Sequence, residues 1–213
     1  FLLPEYRRDR LGRFLSRVRF MFMGQHRSYF DDCTIAEIRG WHDGKGNAPF
    51  YDSLARKFFQ MDFTQADWIC ATKGNRFISE LMPTYPIYVS LLEKEAQETI
   101  GRPHMNSEPA KAMLEREGFE YKCYIDVFDG GPTLEVRTDE IRTIMQSKQA
   151  QIGAVEDFHL DAHRKMISTL AFQEFRACLG FVKEQEDGRV TLDANSAAWL
   201  GLSVGDRIAY AGA

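Results

Sequence analysis

Apolar residues recur at Leu11, Phe14, Leu15, Val18 and Phe22. Spacings of three and four place them on one stripe of a 3.6-residue turn, so the pattern predicts an amphipathic helix reaching about Tyr29. Arg10, Arg13 and Arg17 fall on another face, and the plain reading of Arg13 and Arg17 is a solvated surface. Ahead of the helix, Phe1 to Leu3 read as the end of a buried strand and Pro4 to Arg10 as a polar loop. A strand opening at residue 1 ordinarily has partners upstream, so part of a sheet is expected before Phe1. In CTIAEIRG (33–40), Ile35 and Ile38 flank polar Glu37 among β-branched residues, which predicts a strand ending at Gly40. HDGKGN is rich in turn formers. Phe50, Leu54, Phe58 and Phe59 then carry helical spacing, and short helices continue to Leu92, broken by Pro83 and Pro86. EKEAQETIG predicts one more, closed by Gly101.

The segment SEPAKAMLEREGFEYKCYIDVFDGG carries a clear local signal. Ser107 stands as N-cap, Glu108 and Pro109 occupy the first turn, and Gly118 sits where the helix must end. A strand over 119–128 follows, DGGP turns the chain, and TLEVR returns. The polar stretch 149–164 marks a boundary. Beyond it come a strand over 172–183, a turn at Asp187-Gly188, a strand over 189–192, a short helix capped by Asp193 and ended by Gly201, and a strand over 207–210. The expected fold is α/β (α+β), a mixed sheet flanked by helices, with a small β-rich, barrel-like module at the C-terminal end. The expected division is 1–148, with a helical insertion at about 41–106, and 149–213.

A chain of 213 residues, 44% apolar and with 16 phenylalanines, can bury a proper core. The aromatics at 20–22 and 58–59 are assigned to it. The net charge of −4 argues against general nucleic-acid binding. Cys33, Cys70, Cys123 and Cys178 are widely spaced and form no CxxC pair. They read as reduced core residues, which fits the cytoplasm, and no metal is expected. No apolar run is long enough to span a membrane, and no signal peptide is visible. Against this acidic background, six arginines lie between Arg7 and Arg19 with one acid, Asp9. A helix start presents unpaired N–H groups and a positive dipole end, so Arg7, Arg8, Asp9, Arg10, Leu11 and Gly12 form a candidate phosphate cradle. Gly12, lacking Cβ, would let the backbone approach a ligand closely.

RRDRLG and its helix resemble the coenzyme A loop of GNAT acyltransferases, although Arg10 stands where that pattern has its first glycine. AMLEREGFE resembles their second signature, a helix ending in Gly-Phe. SRVRFMFM, AEIRG, PFYDSLARKFFQMDFTQAD, ELMPTYPIY, EAQETIG and YIDVFDGGPTLE are similar to the arginine N-succinyltransferase family, in that family's order over most of residues 1–140. The resemblance implies a GNAT-like fold and transfer of succinyl from succinyl-CoA to the α-amino group of L-arginine, or of ornithine, in arginine catabolism. It also implies a family chain that continues N-terminally, and in some members two related subunits. An oligomer, or pairing with an N-terminal segment or second subunit, is therefore expected. The readings left open are a different GNAT N-acyltransferase and a non-catalytic partner subunit.

The reaction needs a base for the ammonium, a donor for the thioester oxygen and carboxylates for a guanidinium. His104, in GRPHMNSEP, is the first choice for base, because the family carries a histidine in the matching segment. The plain alternative is a surface-loop histidine. Glu37 either faces the cleft, as the glutamate base of many GNAT enzymes does, or lies on a polar strand face, and Glu80 has similar standing. Asp126 and Asp129 either hold the guanidinium or serve the turn. Tyr85 and Tyr88 line the pocket or cover the core. The helix 110–119 offers no tyrosine acid, so the proton donor to the leaving thiolate is unassigned. Neither a nucleophile elbow nor a metal-ligand spacing is present, so no acyl-enzyme is expected.

Overall fold

The computed structural model describes residues 2–9, 11–43, 47–158 and 164–213. In chain order its elements are α1 (Leu11–Gln25), β1 (Cys33–Glu37), α2 (Pro49–Ser53), α3 (Ala55–Phe59), α4 (Phe63–Lys73), α5 (Arg76–Leu81), α6 (Lys94–Thr99), α7 (Glu108–Arg116), β2 (Glu120–Ile125), β3 (Pro132–Arg137), α8 (Arg142–Gln146), β4 (Lys148–Glu156), β5 (Lys165–Thr169), β6 (Ala177–Gly180), β7 (Val182–Glu184), β8 (Val190–Asp193), α9 (Ala194–Leu200) and β9 (Arg207–Gly212). The chain packs as two units, one made of residues 1–33 and 137–213 and the other of 34–136. This differs from the division expected at 148/149. The reason is that the stripe of α1 finds its apolar partners in the C-terminal strands.

In the first unit, six strands run in the order β6-β5-β9-β4-β8-β7, antiparallel except for the parallel pair β4 and β8. The row is open rather than barrel-like among the described residues. Met21 of α1 is buried with Met166, Ala209 and Ala211, and Phe14 packs against them. Ile167, Ile208 and Tyr210 belong instead to a second cluster with Ile152, Val190, Leu192 and, from α9, Ala197 and Leu200. Alternate residues of β5 and β9 therefore feed different cores, and both strands are apolar at successive positions because both faces are covered. Asp193 caps α9 by accepting from the Ser196 N–H at 3.0 Å, as expected.

Several expectations fail in this unit. The polar stretch 149–164 contains β4, a nine-residue strand, where a boundary was expected. Ala150 and Ile152 point inward, while Lys148, Gln149 and Gln151 are exposed and hide the pattern. The strand expected over 172–183 is two short ones, and Phe172 is exposed. Leu2 and Leu3 belong to no strand, and Phe1 lies outside the described residues. Arg17 is not a solvated surface residue. It is 6% exposed and donates from Nε to Thr143 Oγ1 at 3.0 Å and from Nη1 to the Gly212 carbonyl at 2.8 Å.

The second unit has a three-stranded sheet in the order β1-β3-β2. Its helices bury Tyr51, Phe59 and Phe63 with Phe128, and Phe50 and Leu54 with Leu92 and Ala96. Phe58 is exposed, contrary to its assignment to the core, as are Cys33 and Cys123. All four cysteines are free thiols. Helix α7 ends as predicted. Phe119 N–H donates to the Leu114 carbonyl at 3.1 Å and Gly118 N–H to that of Glu115 at 3.0 Å, with Gly118 at φ 102°. This is the paired arrangement that a left-handed C′ residue permits. Ser107 makes no side-chain cap bond. The single turn Met105–Ser107 precedes α7, and His104 caps that turn instead.

Candidate functional site

A cleft of about 890 Å³ in the second unit is lined by Glu37 at the end of β1 and Arg39 beyond it, by Phe63, Asp67 and Cys70 of α4, by Ile78 and Ser79 of α5 with Met82, and by the β2–β3 loop through Asp126, Phe128 and Asp129. Four carboxylates face one guanidinium, so the cleft is acidic over an apolar floor. Arg39 and Asp67 approach to 3.6 Å, and both are about half exposed. An ion pair so wet is weak and open to exchange. Burial pushes the Cys70 thiol up, which makes it a poor nucleophile near neutrality.

Asp129 is the best-held of the four carboxylates. Its Oδ2 accepts from the Gly40 N–H at 2.7 Å and its Oδ1 from the Gly131 N–H at 2.8 Å. Burial raises its carboxyl above the ordinary range despite both bonds, and the charge of Asp126 adds to the rise. The side chain thus ties the end of β1 to the loop before β3. Asp126 Oδ1 accepts from the Phe128 N–H at 2.8 Å, an Asx turn. Both carboxylates serve the loop, as one sequence reading had it, and both also line the cleft.

A short ladder lies beside this wall. Gly40 bridges Pro103 in antiparallel fashion, and the His104 N–H donates to the Arg39 carbonyl at 2.8 Å. Arg102 lies over the Trp41 ring at 5.0 Å, and the rings of His42 and His104 stack at 4.3 Å and 24°. His104 is 9% exposed, so it is not a surface-loop histidine. Its Nδ1 accepts from the Asn106 N–H at 3.2 Å, which leaves Nε2 to carry the hydrogen of the neutral ring. Burial first, then Arg39 and His104, lower the pKa of His42, against the opposing pull of Asp43 and Asp67. His104 itself is not among the residues lining the cleft; Arg39, through its carbonyl, and Phe63, by way of the His42 ring, connect the two.

Other candidates are placed elsewhere. Glu80 points away and pairs with Arg76 at 2.7 Å along α5. Tyr85 and Tyr88 are 83% and 78% exposed and do not line the cleft, because the proline-broken segment carries them outward. Asp67, Arg39 and His42 were not picked from the sequence. Asp67 sits on a helix with no apolar stripe to orient it, and His42 gains its meaning only from a neighbour 62 positions away in the numbering.

The basic loop belongs to the first unit. Arg7 Nε donates to the Leu2 carbonyl at 3.0 Å, Arg8 and Asp9 are exposed with 3.9 Å between them, and Asp9 has φ 53°. Leu11 opens α1 with its N–H on the Arg8 carbonyl at 3.0 Å; Arg10 lies outside the described residues. Among the described residues, a Cβ built on Gly12 meets only Leu2 at 3.7 Å, so their packing does not demand glycine there. No described helix is long and apolar enough to cross a membrane.

Comparison with known proteins completes the picture. A family described as Arginine N-succinyltransferase beta subunit matches residues 1–143, and its C-terminal domain matches 155–212. Arginine N-succinyltransferase of Yersinia pestis (strain Pestoides F) is 41% identical over 214 residues, covering 98% of this chain and 61% of that protein. The Escherichia coli (strain 55989 / EAEC) protein of the same name is 41% identical over 208 residues, covering 98% and 60%. The solved structure of arginine/ornithine succinyltransferase subunit AI from Pseudomonas aeruginosa has a TM-score of 0.85 at 31% identity, covering 100% of this chain and 60% of that one. This likeness agrees with the expected mixed α/β fold. The chain spans about three-fifths of the length of the curated relatives it matches.

Proposed function

We propose that this chain, which belongs to the arginine N-succinyltransferase beta-subunit family, takes part in moving a succinyl group from succinyl-CoA to the α-amino group of L-arginine. The observation that carries the reading is the acidic cleft. Glu37, Asp67, Asp126 and Asp129 surround an apolar floor of Phe63, Phe128 and Met82. A guanidinium on an aliphatic stem fits such a lining, because carboxylates bind it through paired bonds and the stem needs apolar cover. Carboxylates also attract an ammonium, so ornithine, named for the Pseudomonas aeruginosa relative, is a second substrate of the same reading.

In the reaction the α-ammonium first loses a proton. Its nitrogen lone pair then forms the C–N bond at the thioester carbon, the C–S bond breaks, and the coenzyme leaves as thiolate and takes up a proton. Glu37, exposed and lining the cleft, is assigned as base through a water molecule. His104 is reassigned from base to donor: with Nδ1 occupied by the Asn106 N–H, Nε2–H is the atom that can stabilise the oxyanion or protonate the thiolate. The loop at Arg7, Arg8 and Gly12 is assigned to the coenzyme's phosphates, by charge and by the helix start behind it.

Thiol release from succinyl-CoA with L-arginine tests this in the whole protein. Asp67→Asn and Asp126→Asn should raise KM for arginine about tenfold or more with KM for succinyl-CoA unchanged, since each removes a partner for a charged group. Unaltered arginine KM in both variants would remove the cleft from the mechanism. His104→Ala should lower kcat at least a hundredfold, the scale of losing an oxyanion donor.

A further inference from the structure

We propose that His42 is a positioning residue for His104: its ring, stacked on the His104 ring and leaning in turn on Phe63, fixes the plane in which His104 presents Nε2. The inference rests on the reading of His104 as donor given above. Three independent contacts hold His104, two of them on its ring. Its backbone N–H is held by the Arg39 carbonyl, its Nδ1 by the Asn106 N–H, and its face by His42 at 4.3 Å and 24°. The first two leave rotation about the side chain's bonds checked at one atom only. The stack removes that freedom, since a ring wedged face to face cannot turn without displacing its neighbour. His42 is itself backed by Phe63 at 5.6 Å and 38°, and Phe63 belongs to the buried aromatic cluster of Tyr51, Phe59 and Phe128. The core is thereby continued, ring by ring, to His104.

The chemistry of His42 suits a prop. Among the described residues, Arg39 and His104 disfavour an imidazolium there and Asp43 and Asp67 favour one; Phe63, its ring 5.6 Å away, is uncharged. Burial, with Arg39 and His104, outweighs the two aspartates, so His42 stays neutral at neutral pH and its face stacks on His104 without like-charge repulsion. It touches neither substrate nor reacting atom in this reading.

The test is steady-state kinetics of His42→Ala, His42→Phe and His104→Ala in the whole protein from pH 6 to 9, with thermal melting to confirm folding. His42→Ala should lower kcat about tenfold or more, with both KM values within about twofold, as loss of orientation does. His42→Phe, which keeps a flat ring and cannot titrate, should recover kcat to within about threefold, with a pH profile matching the native one. A nitrogen-resolved NMR spectrum should show the Nε2–H form of the neutral His104 ring in the phenylalanine variant. Native kcat in His42→Ala, with His104→Ala inactive, would overturn the proposal alone. A phenylalanine variant as slow as the alanine one would overturn it too, by assigning the role to a His42 nitrogen. Native turnover in His104→Ala would instead sink the parent reading of His104, whatever the His42 variants do.

Discussion

Gly131→Ala isolates the contact on which the cleft wall depends. The residue's φ lies outside the left-handed region, so alanine is conformationally permitted and the effect is one of space. A Cβ built there lies 2.1 Å from the Ile38 carbonyl oxygen, 2.6 Å from Gly40 N and 2.9 Å from Asp129 Oδ1. Ordinary contact begins near 3.4 Å, so backbone has to move by more than 1 Å. The bonds across this point are Ile38 N–H to Pro132 O at 3.0 Å, Asp126 N–H to Gly131 O at 2.8 Å, and the two that Asp129 accepts. Crowding alone costs about 1–3 kcal/mol. Losing one bond to a charged acceptor adds about 1.5–3 kcal/mol. The expected loss is about 2.5–6 kcal/mol, or a fall of roughly 5–24 °C in melting temperature for a chain of this size. Urea denaturation read by fluorescence measures it, and calorimetry with L-arginine should show binding lost in parallel. Gly212→Ala is the control, because a Cβ there meets nothing within 4 Å among the described residues, and it should stay within about 0.5 kcal/mol of native. A Gly131→Ala protein with native stability would refute the argument from close approach.

Gly12→Ala should stabilise the fold by up to about 1 kcal/mol, as expected for a helical glycine with room for a methyl, while weakening succinyl-CoA binding by calorimetry; unchanged affinity would detach this loop from the coenzyme. Arg17→Ala should cost about 2–6 kcal/mol by urea titration, because it strips the Thr143 hydroxyl and the Gly212 carbonyl of a buried charged donor at about 1–3 kcal/mol each, and a lysine should not restore the fork. Tyr51 and Tyr210 both have phenol groups raised to about 12, chiefly by burial. A raised folded pKa favours the protonated form, so their contribution is complete below pH 10 and is lost as pH rises toward 12; Tyr210→Phe should flatten part of that alkaline decline in a pH series of melts.

Helix α1, the ends of α7 and α9 and the last strand were legible because each is announced within a dozen residues by spacing, a cap or a glycine. Arg17 was not, because its partners Thr143 and Gly212 lie 126 and 195 positions away. The strand β4 was missed because glutamines and a lysine occupy its exposed positions and leave a short inward pattern of Ala150 and Ile152. Asp126, Asp129 and Glu37 were selected on chemistry and do line one cleft, yet the sequence could not tell that Asp129 spends both oxygens on backbone amides. Tyr85 and Tyr88 looked like pocket walls because aromatic residues usually seek cover, whereas here they are exposed. His104 was picked out, but the bond that its Nδ1 accepts from the Asn106 N–H, on which the proposed donor reading rests, is invisible in the sequence.

The strand β9 lies between β5 and β4, and the apolar stripe of α1 rests on it. During translation α1 emerges more than 180 residues before that resting place exists. At about 5–20 residues per second the wait is roughly 9–36 seconds. Residues 34–136 have all their own contacts available in that interval and can settle first. Phe14 and Met21 meanwhile stay bare, a natural foothold for a chaperone and a hazard for any ribosome that stalls late.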